Sequence, residues 1–207
     1  MRSKESSTNV IFVRHGKTDF PLDRIYCDEV EDPGLNTEGV FQAKSAAVSL
    51  KSQNISKIYA SPAKRTQMTA REISEVTGLP VETNSNWIER RFGIWEGLYF
   101  HEIEKQYPEL YTKWKQDNVG FTPENGETIK DVEFRLNESL NEIITKHRGE
   151  TIAIVSHVGP IRICLCQSLS IPIENYRQIR VDYASMSRVD YGLTRNNLIS
   201  VNFHIYR

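Results

Sequence analysis

Two imidazoles, two guanidiniums and one carboxyl stand where apolar runs of the chain give way to polar ones: Arg14-His15, Arg65, Glu89 and His157. An imidazole is a nucleophile through one ring nitrogen when a hydrogen bond fixes the other as a donor, and His15 is the candidate for that role. Arginine presents a planar fork that can meet two oxygens of one anion, which Arg14 and Arg65 can both do. Such a set suits a group with several negatively charged oxygens, whose transfer depends mainly on positioning and on donors that stabilise spread charge.

Each residue also has a plainer reading. His15 could be a satisfied core histidine, Arg14 could pair with a surface carboxylate, and Glu89 beside Arg90 and Arg91 could be a solvated acid. Ser61-Pro62 looks like a helix start, with serine as N-cap and proline at the first helical position. The plain readings weaken when the segments are taken jointly, because they follow strand candidates in order along the chain.

The elements that must position these groups are short β-branched runs alternating with helical periodicity. NVIFV at 9–13, KIYA at 57–60 and TIAIV at 151–155 read as strands, apolar throughout as in a parallel sheet covered on both faces. A segment around VETNSNW leads to Glu89. Val40, Ala43, Ala47 and Leu50 recur at helical spacing, as do Ile129, Val132, Leu136, Leu140 and Ile143. The fold class expected is α/β: a three-layer α/β/α sandwich with a mostly parallel central sheet. ASMSRVDYG and ISVNFHIYR, joined by LTRNN, alternate with period two and predict an antiparallel hairpin at the C-terminal edge. In open α/β sheets, ligands bind outside the carboxyl ends of the strands, where RHGKT, SPAKR and SHVGP all fall. Helix N-termini expected after Gly16 and after His157 would add backbone donors for an anion, with Val158 the first residue of the second helix.

The 207 residues suffice for one α/β domain with an inserted segment. That insertion is read as a small helical lid at about 95–125, rich in Trp95, Tyr99, Tyr107, Tyr111 and Trp114, with Pro108 dividing two helical patterns. With 26 Lys and Arg against 27 Asp and Glu, the net charge of −1 argues against a polybasic nucleic-acid binder. No apolar run approaches the length of a membrane span, and the polar MRSKESSTN start lacks the apolar core of a signal peptide; a cytoplasmic location is expected. Of three cysteines, Cys164 and Cys166 lie in an apolar stretch and read as buried free thiols. No cluster with metal-ligand spacing appears, and no cofactor is expected.

RHGKT, SPAKRTQMTA, IERRFGIWEG and VSHVGPIR resemble the histidine phosphatase superfamily, also called the phosphoglycerate mutase-like family, from about Val10 to about Gly192. The resemblance implies a phosphohistidine formed on His15, with His157 contacting the transferring oxygens and Glu89 as the acid that protonates the leaving alcohol and then activates water. A carboxyl crowded against phosphate should have its pKa raised. Thr18 aligns with a residue the family often uses near phosphate, and reads equally as a helix-start hydroxyl. Phe20 and Pro21 stand where the family usually has tryptophan and asparagine, and Arg24-Ile25-Tyr26-Cys27 replaces the family's RxQG-like turn, which implies a substrate-facing loop reshaped by a bulkier aromatic. Asn125-Gly126-Glu127 replaces Gly-Gly-Glu before the long helix, with Asn125 as its expected N-cap, and Val158 replaces a common glycine. The short insertion and YASMSRVDYG are similar to α-ribazole phosphatases; the lid also suits phosphoserine phosphatases and broad-specificity phosphomonoesterases. A metal-independent phosphomonoesterase acting on a small phosphorylated metabolite ranks first. A mutase and an inactive phosphate-binding module stay open as alternatives, and a homodimer is compatible with either.

Overall fold

A computed structural model of the chain describes residues 7–26 and 31–204. Cys27, most of the polar MRSKESSTN start and the last three residues of the expected hairpin lie outside them. Six strands form one mixed sheet: β1 (Thr8–Arg14), β2 (Ile55–Ala60), β3 (Val81–Thr83), β4 (Thr151–Ser156), β5 (Met186–Tyr191) and β6 (Asn196–Phe203). Their order is β3-β2-β4-β1-β5-β6. The first four run parallel, whereas β5 and β6 are antiparallel to their neighbours. The expected edge hairpin is therefore present.

The unbroken apolar character of β1 and β4 follows from burial on both faces. Val10, Phe12, Ile152 and Ile154 meet α5 (Ile129–Lys146) and α6 (Val158–Leu169), while Ile11, Val13, Ala153 and Val155 meet α1 (Thr37–Leu50) and α2 (Lys64–Thr77). Alternate side chains of one strand thus supply two cores, making the three-layer sandwich. Among the described residues, no helix is long and apolar enough to cross a membrane. Cys164 and Cys166 are buried free thiols; burial pushes the Cys164 thiol upward, out of the range of a reactive thiolate.

Three local expectations are corrected. No helix starts after Gly16: the described residues 15–26 and 31–36 are not helical, and α1 begins only at Thr37, capped by Asn36, whose side chain accepts from the Gly39 N–H. Pro21 and Asp32-Pro33-Gly34 interrupt helical continuity in this stretch. Even so, the start of α1 folds back onto the loop, because Asn36 N–H donates to the Lys17 carbonyl at 3.0 Å. Gly16 and Gly39 permit the approach: a Cβ on Gly39 would sit 2.0 Å from the Lys17 oxygen.

Ser61 and Pro62 precede α2 without capping it; Ala63 is the cap position and makes no side-chain bond. The Lys64 N–H instead donates to both carboxylate oxygens of Asp32 at 2.9 and 2.8 Å. Asn125 is likewise not the cap of α5. It sits in a turn at φ 60°, and Thr128 forms a capping box with Asp131.

The segment read as an insertion contains α3 (Phe100–Gln106) and α4 (Pro108–Gln116), divided at Pro108 as the sequence suggested. Ile25, Trp95, Ile103 and Trp114 make a hydrophobic cluster separate from the two sheet cores. This segment is tied to the chain after β1 by backbone bonds from Ile25 to Leu98 and from Phe100 to Asp23. Together they form a wall over the strand ends.

Candidate active site

Strand register brings the distant motifs together. Arg14 of β1 lies opposite Ser156 of β4, so the residues that follow, His15 and His157, leave the sheet side by side. His15 N–H donates to the Ser156 carbonyl at 3.1 Å and Ser61 N–H to the Val155 carbonyl at 3.0 Å, which sets three strand ends at one height. The two imidazole centroids are 5.4 Å apart, edge to face. A cavity of 930 Å³ opens above them, lined by Arg14, His15, Arg65, Glu89, His157 and Val158 among others.

Hydrogen bonds fix the tautomers. His15 Nδ1 lies 2.8 Å from the Gly16 carbonyl, which can only accept, so Nδ1 carries the proton and Nε2 keeps its electron pair. Arg65 Nη2 can only donate, and it lies 3.1 Å from His157 Nδ1. His157 Nε2 therefore carries the proton and donates to Ser61 Oγ at 2.8 Å. Burial, then the charge of Arg65, holds both imidazoles well below their ordinary pKa, with Arg14 adding in the same sense. Neutral rings result, as a nucleophile requires.

Each arginine is backed by a tyrosine. The Arg14 guanidinium lies 3.9 Å from the centroid of the Tyr183 ring, and its Nη1 donates to the Val181 carbonyl at 2.8 Å. Its buried Nε has no hydrogen-bond partner among the described residues. Arg65 is fully buried, faces Asp32 at 3.6 Å and lies 4.1 Å from the Tyr26 centroid. Phe20 stacks on Tyr26 at 4.1 Å, so the two aromatic departures noted in the sequence build one wall together. Thr18 does not face the cavity: it is buried and bonded to the Tyr26 hydroxyl at 2.9 Å.

Glu89 is not a freely solvated acid. Its Oε1 accepts from the Arg90 N–H at 2.9 Å and its Oε2 from the Gly159 N–H at 3.1 Å, near the start of α6. Arg135 of α5 braces the segment from behind, donating to the carbonyls of Asn86, Ile88 and Glu89. Glu127 holds Arg135 in turn, accepting at 2.9 and 3.0 Å. Burial pushes Glu127 upward, but the bonds and charge of Arg135 outweigh it and leave its carboxyl below the ordinary value. Glu96, from the IWEG motif, accepts from the N–H groups of Phe92 and Gly93 and shapes the turn.

The structure thus gathers Arg14, His15, Arg65, Glu89, His157 and Val158 at one cavity and leaves Thr18 behind its wall. Ser61, Asp32, Tyr183 and Arg162 belong to the site or its supports without having been singled out for it. Only Arg162 carried a positional signal, three and four residues after Gly159 and Val158 on the same helix face.

The sequence profile of the histidine phosphatase superfamily (branch 1) matches residues 10–204. The chain belongs to this superfamily. Phosphoserine phosphatase 1 of Hydrogenobacter thermophilus is 31% identical over 194 residues, covering 93% of this chain and 91% of that relative. The adenosylcobalamin/alpha-ribazole phosphatase of Escherichia coli is 26% identical over 178 residues, covering 86% and 87%. Among solved structures, a mycobacterial glucosyl-3-phosphoglycerate phosphatase superimposes with a TM-score of 0.83 at 25% identity, over 95% of this chain and 99% of that one. The chain is a histidine phosphatase enzyme, and the α/β fold expected of the superfamily holds.

Proposed function

We propose that this histidine phosphatase hydrolyses phosphate monoesters of small metabolites through a phosphohistidine on His15, with no metal taking part. The observation that carries the reading is the fixed tautomer of His15: Nδ1–H on the Gly16 carbonyl leaves the Nε2 electron pair free, in a cavity that Arg14 and Arg65 also line. His15 Nε2 attacks phosphorus while the bond to the alcohol oxygen breaks. The guanidiniums of Arg14 and Arg65 meet the equatorial oxygens, supported by the N-terminal backbone of α6 at Val158. His157 holds the Arg65 fork through Nδ1, and its Nε2–H, now given to Ser61, is a donor for which a phosphoryl oxygen competes.

Glu89, lining the same cavity, gives the leaving alcohol its proton in this reading. Water then attacks the phosphohistidine, its proton returns to Glu89, and the P–N bond breaks to release phosphate and neutral His15. The relatives named for phosphoserine and α-ribazole phosphate make both compounds substrates to try first.

The test is release of inorganic phosphate from a chromogenic monoester in the presence of a chelator, from mildly acid to neutral pH. It is paired with quenched trapping of an acid-labile phosphoenzyme. Turnover that His15→Ala abolishes, together with the trapped phosphoryl group, supports the reading. No turnover, or full activity in His15→Ala, overturns it. Exchange of phosphate between positions of phosphoglycerate without its release would indicate a mutase, and binding without a phosphoenzyme a mere phosphate-binding module.

A further inference from the structure

The cavity holds more positive charge than one phosphoryl group needs. Beyond Arg14 and Arg65, its wall includes Arg24, Arg90, Arg91, Arg162 and Arg177. Three of these are committed elsewhere. Arg24 donates to the Gly97 carbonyl and pairs with Glu31. Arg90 donates to the carbonyls of Glu127, Asn118 and Phe121, and Arg91 faces Glu127 at 3.7 Å.

Arg162 and Arg177 differ. Arg162 is half-buried on α6, one turn beyond the Gly159 N–H that holds Glu89, and only its Nε is engaged, donating to the Ile179 carbonyl at 2.7 Å. Burial, then Arg14, lowers its pKa and Glu89 acts in the opposite sense, marking both as electrostatic neighbours. Arg177 lies over the Trp114 ring at 4.9 Å, its Nε donating to the Tyr176 hydroxyl at 3.2 Å. Neither arginine has a hydrogen-bond partner for its two terminal amino groups among the described residues. The acids of the cavity do not balance them. Asp32 caps α2 and faces Arg65, Glu96 shapes its own turn, and Glu89 is held by backbone N–H groups.

We infer that Arg162, with Arg177 beside it, forms a second anion subsite at the leaving-group end of the cavity, so that the preferred substrates are phosphate monoesters whose alcohol itself carries an anionic group. The inference rests on the phosphatase reading and deepens it. A partly desolvated guanidinium with open donors is costly without a counter-charge and favourable with one. A carboxylate is the planar match for its fork, and a sulfonate or second phosphate is the tetrahedral one.

The experiment compares kcat/KM for 3- and 4-carboxyphenyl phosphate with their carboxamide counterparts, and for 3- and 4-sulfophenyl phosphate with their sulfonamides. It is run on the native chain, Arg162→Gln and Arg162→Lys. A preference of about ten- to a hundredfold for at least one acidic ester over its neutral partner is expected, the size of a charge-assisted contact. That ratio should collapse toward one in Arg162→Gln and recover partly in Arg162→Lys. A purely structural role for Arg162 would lower both esters of a pair together and leave the ratio in place. Equal turnover of acidic and neutral esters by the native chain, or a ratio unmoved in Arg162→Gln, overturns the inference while the phosphatase reading stands. Failure to hydrolyse any of the esters overturns the phosphatase reading and this inference with it.

Discussion

Gly159→Ala should disarm the proposed acid without unfolding the protein. Gly159 lies near the start of α6, and a Cβ there would stand 2.2 Å from Glu89 Oε1 and 3.2 Å from its carboxyl carbon. Relief to an ordinary contact requires the carboxylate to withdraw by about 1 Å, a misplacement that can cost about a hundredfold in rate. The obstructed atom is the far end of a flexible side chain, so the helix itself need not shift. Alanine favours the helix by up to about 1 kcal/mol over glycine. The weakened bond from the Gly159 N–H to the partly buried carboxylate costs about the same. The two nearly cancel, and the melting midpoint should stay within about 4 °C of the native value. Activity should change according to the leaving group: kcat/KM for alkyl phosphates falls about a hundredfold, whereas esters of acidic phenols, which leave without a proton, change little. A series of esters graded by leaving-group acidity reads this as a steeper dependence, matching that of Glu89→Gln. If Glu89→Gln steepens the dependence and Gly159→Ala does not, the contact drawn between the two residues is wrong. If neither does, Glu89 is not the acid.

Three further outcomes follow from the same geometry. Ser61→Ala removes the acceptor of the buried His157 Nε2–H, so urea unfolding should show a loss of about 1–3 kcal/mol; saturating phosphate, offering a replacement acceptor, should restore more stability to this variant than to the native chain, and equal restoration would refute the competition proposed at Nε2. Asp32→Ala strips the acceptor from the Lys64 N–H at the start of α2 and the carboxylate facing buried Arg65, so it should cost at least about 1 kcal/mol in the same assay, an unchanged denaturation midpoint counting against both roles. His15 and His157 have folded-state pKa values depressed well below 6.5, so they stay neutral in the native chain while the unfolded chain takes up protons as pH falls through about 6.5. Their contribution is therefore intact above that pH and is lost below it, by up to about 2.7 kcal/mol for the pair between roughly pH 7.5 and 5.5; His15→Gln should about halve that loss, and a flat stability profile across the window would contradict the buried neutral rings.

What the sequence made legible is what strand ends dictate. Once NVIFV and TIAIV are parallel neighbours, Arg14 falls opposite Ser156 and the two histidines must emerge together, so the pair could be read from two motifs more than a hundred residues apart. Glu89 was harder, because its placement depends on Arg135 gripping three carbonyls from another element, and nothing local in VETNSNWIE announces that grip. The failures were of one kind. Ser61 and Asn125 have good capping side chains, but Ser61 serves His157 and Asn125 takes a left-handed turn. Local propensity predicted what each residue could do and tertiary contacts decided what it does.

The loop after His15 shows the same competition with a functional consequence. A helix starting directly at Gly16 would not bring Tyr26 and Asp32 to Arg65 as the observed chain does. Instead the described residues 15–26 and 31–36, Phe20, Pro21, Tyr26 and Asp32 among them, are not helical, and α1 begins at Thr37. That excursion lays Tyr26 over the Arg65 guanidinium and sets Asp32 against both Arg65 and the start of α2. Pro21 and the Asp-Pro-Gly segment, which break helical continuity here, thus let this part of the chain build one side of the cavity. Irregular chain is needed at this edge, since a regular helix presents side chains to a wall only every third or fourth residue, too sparsely to cover one guanidinium with an aromatic ring and oppose it with a carboxylate.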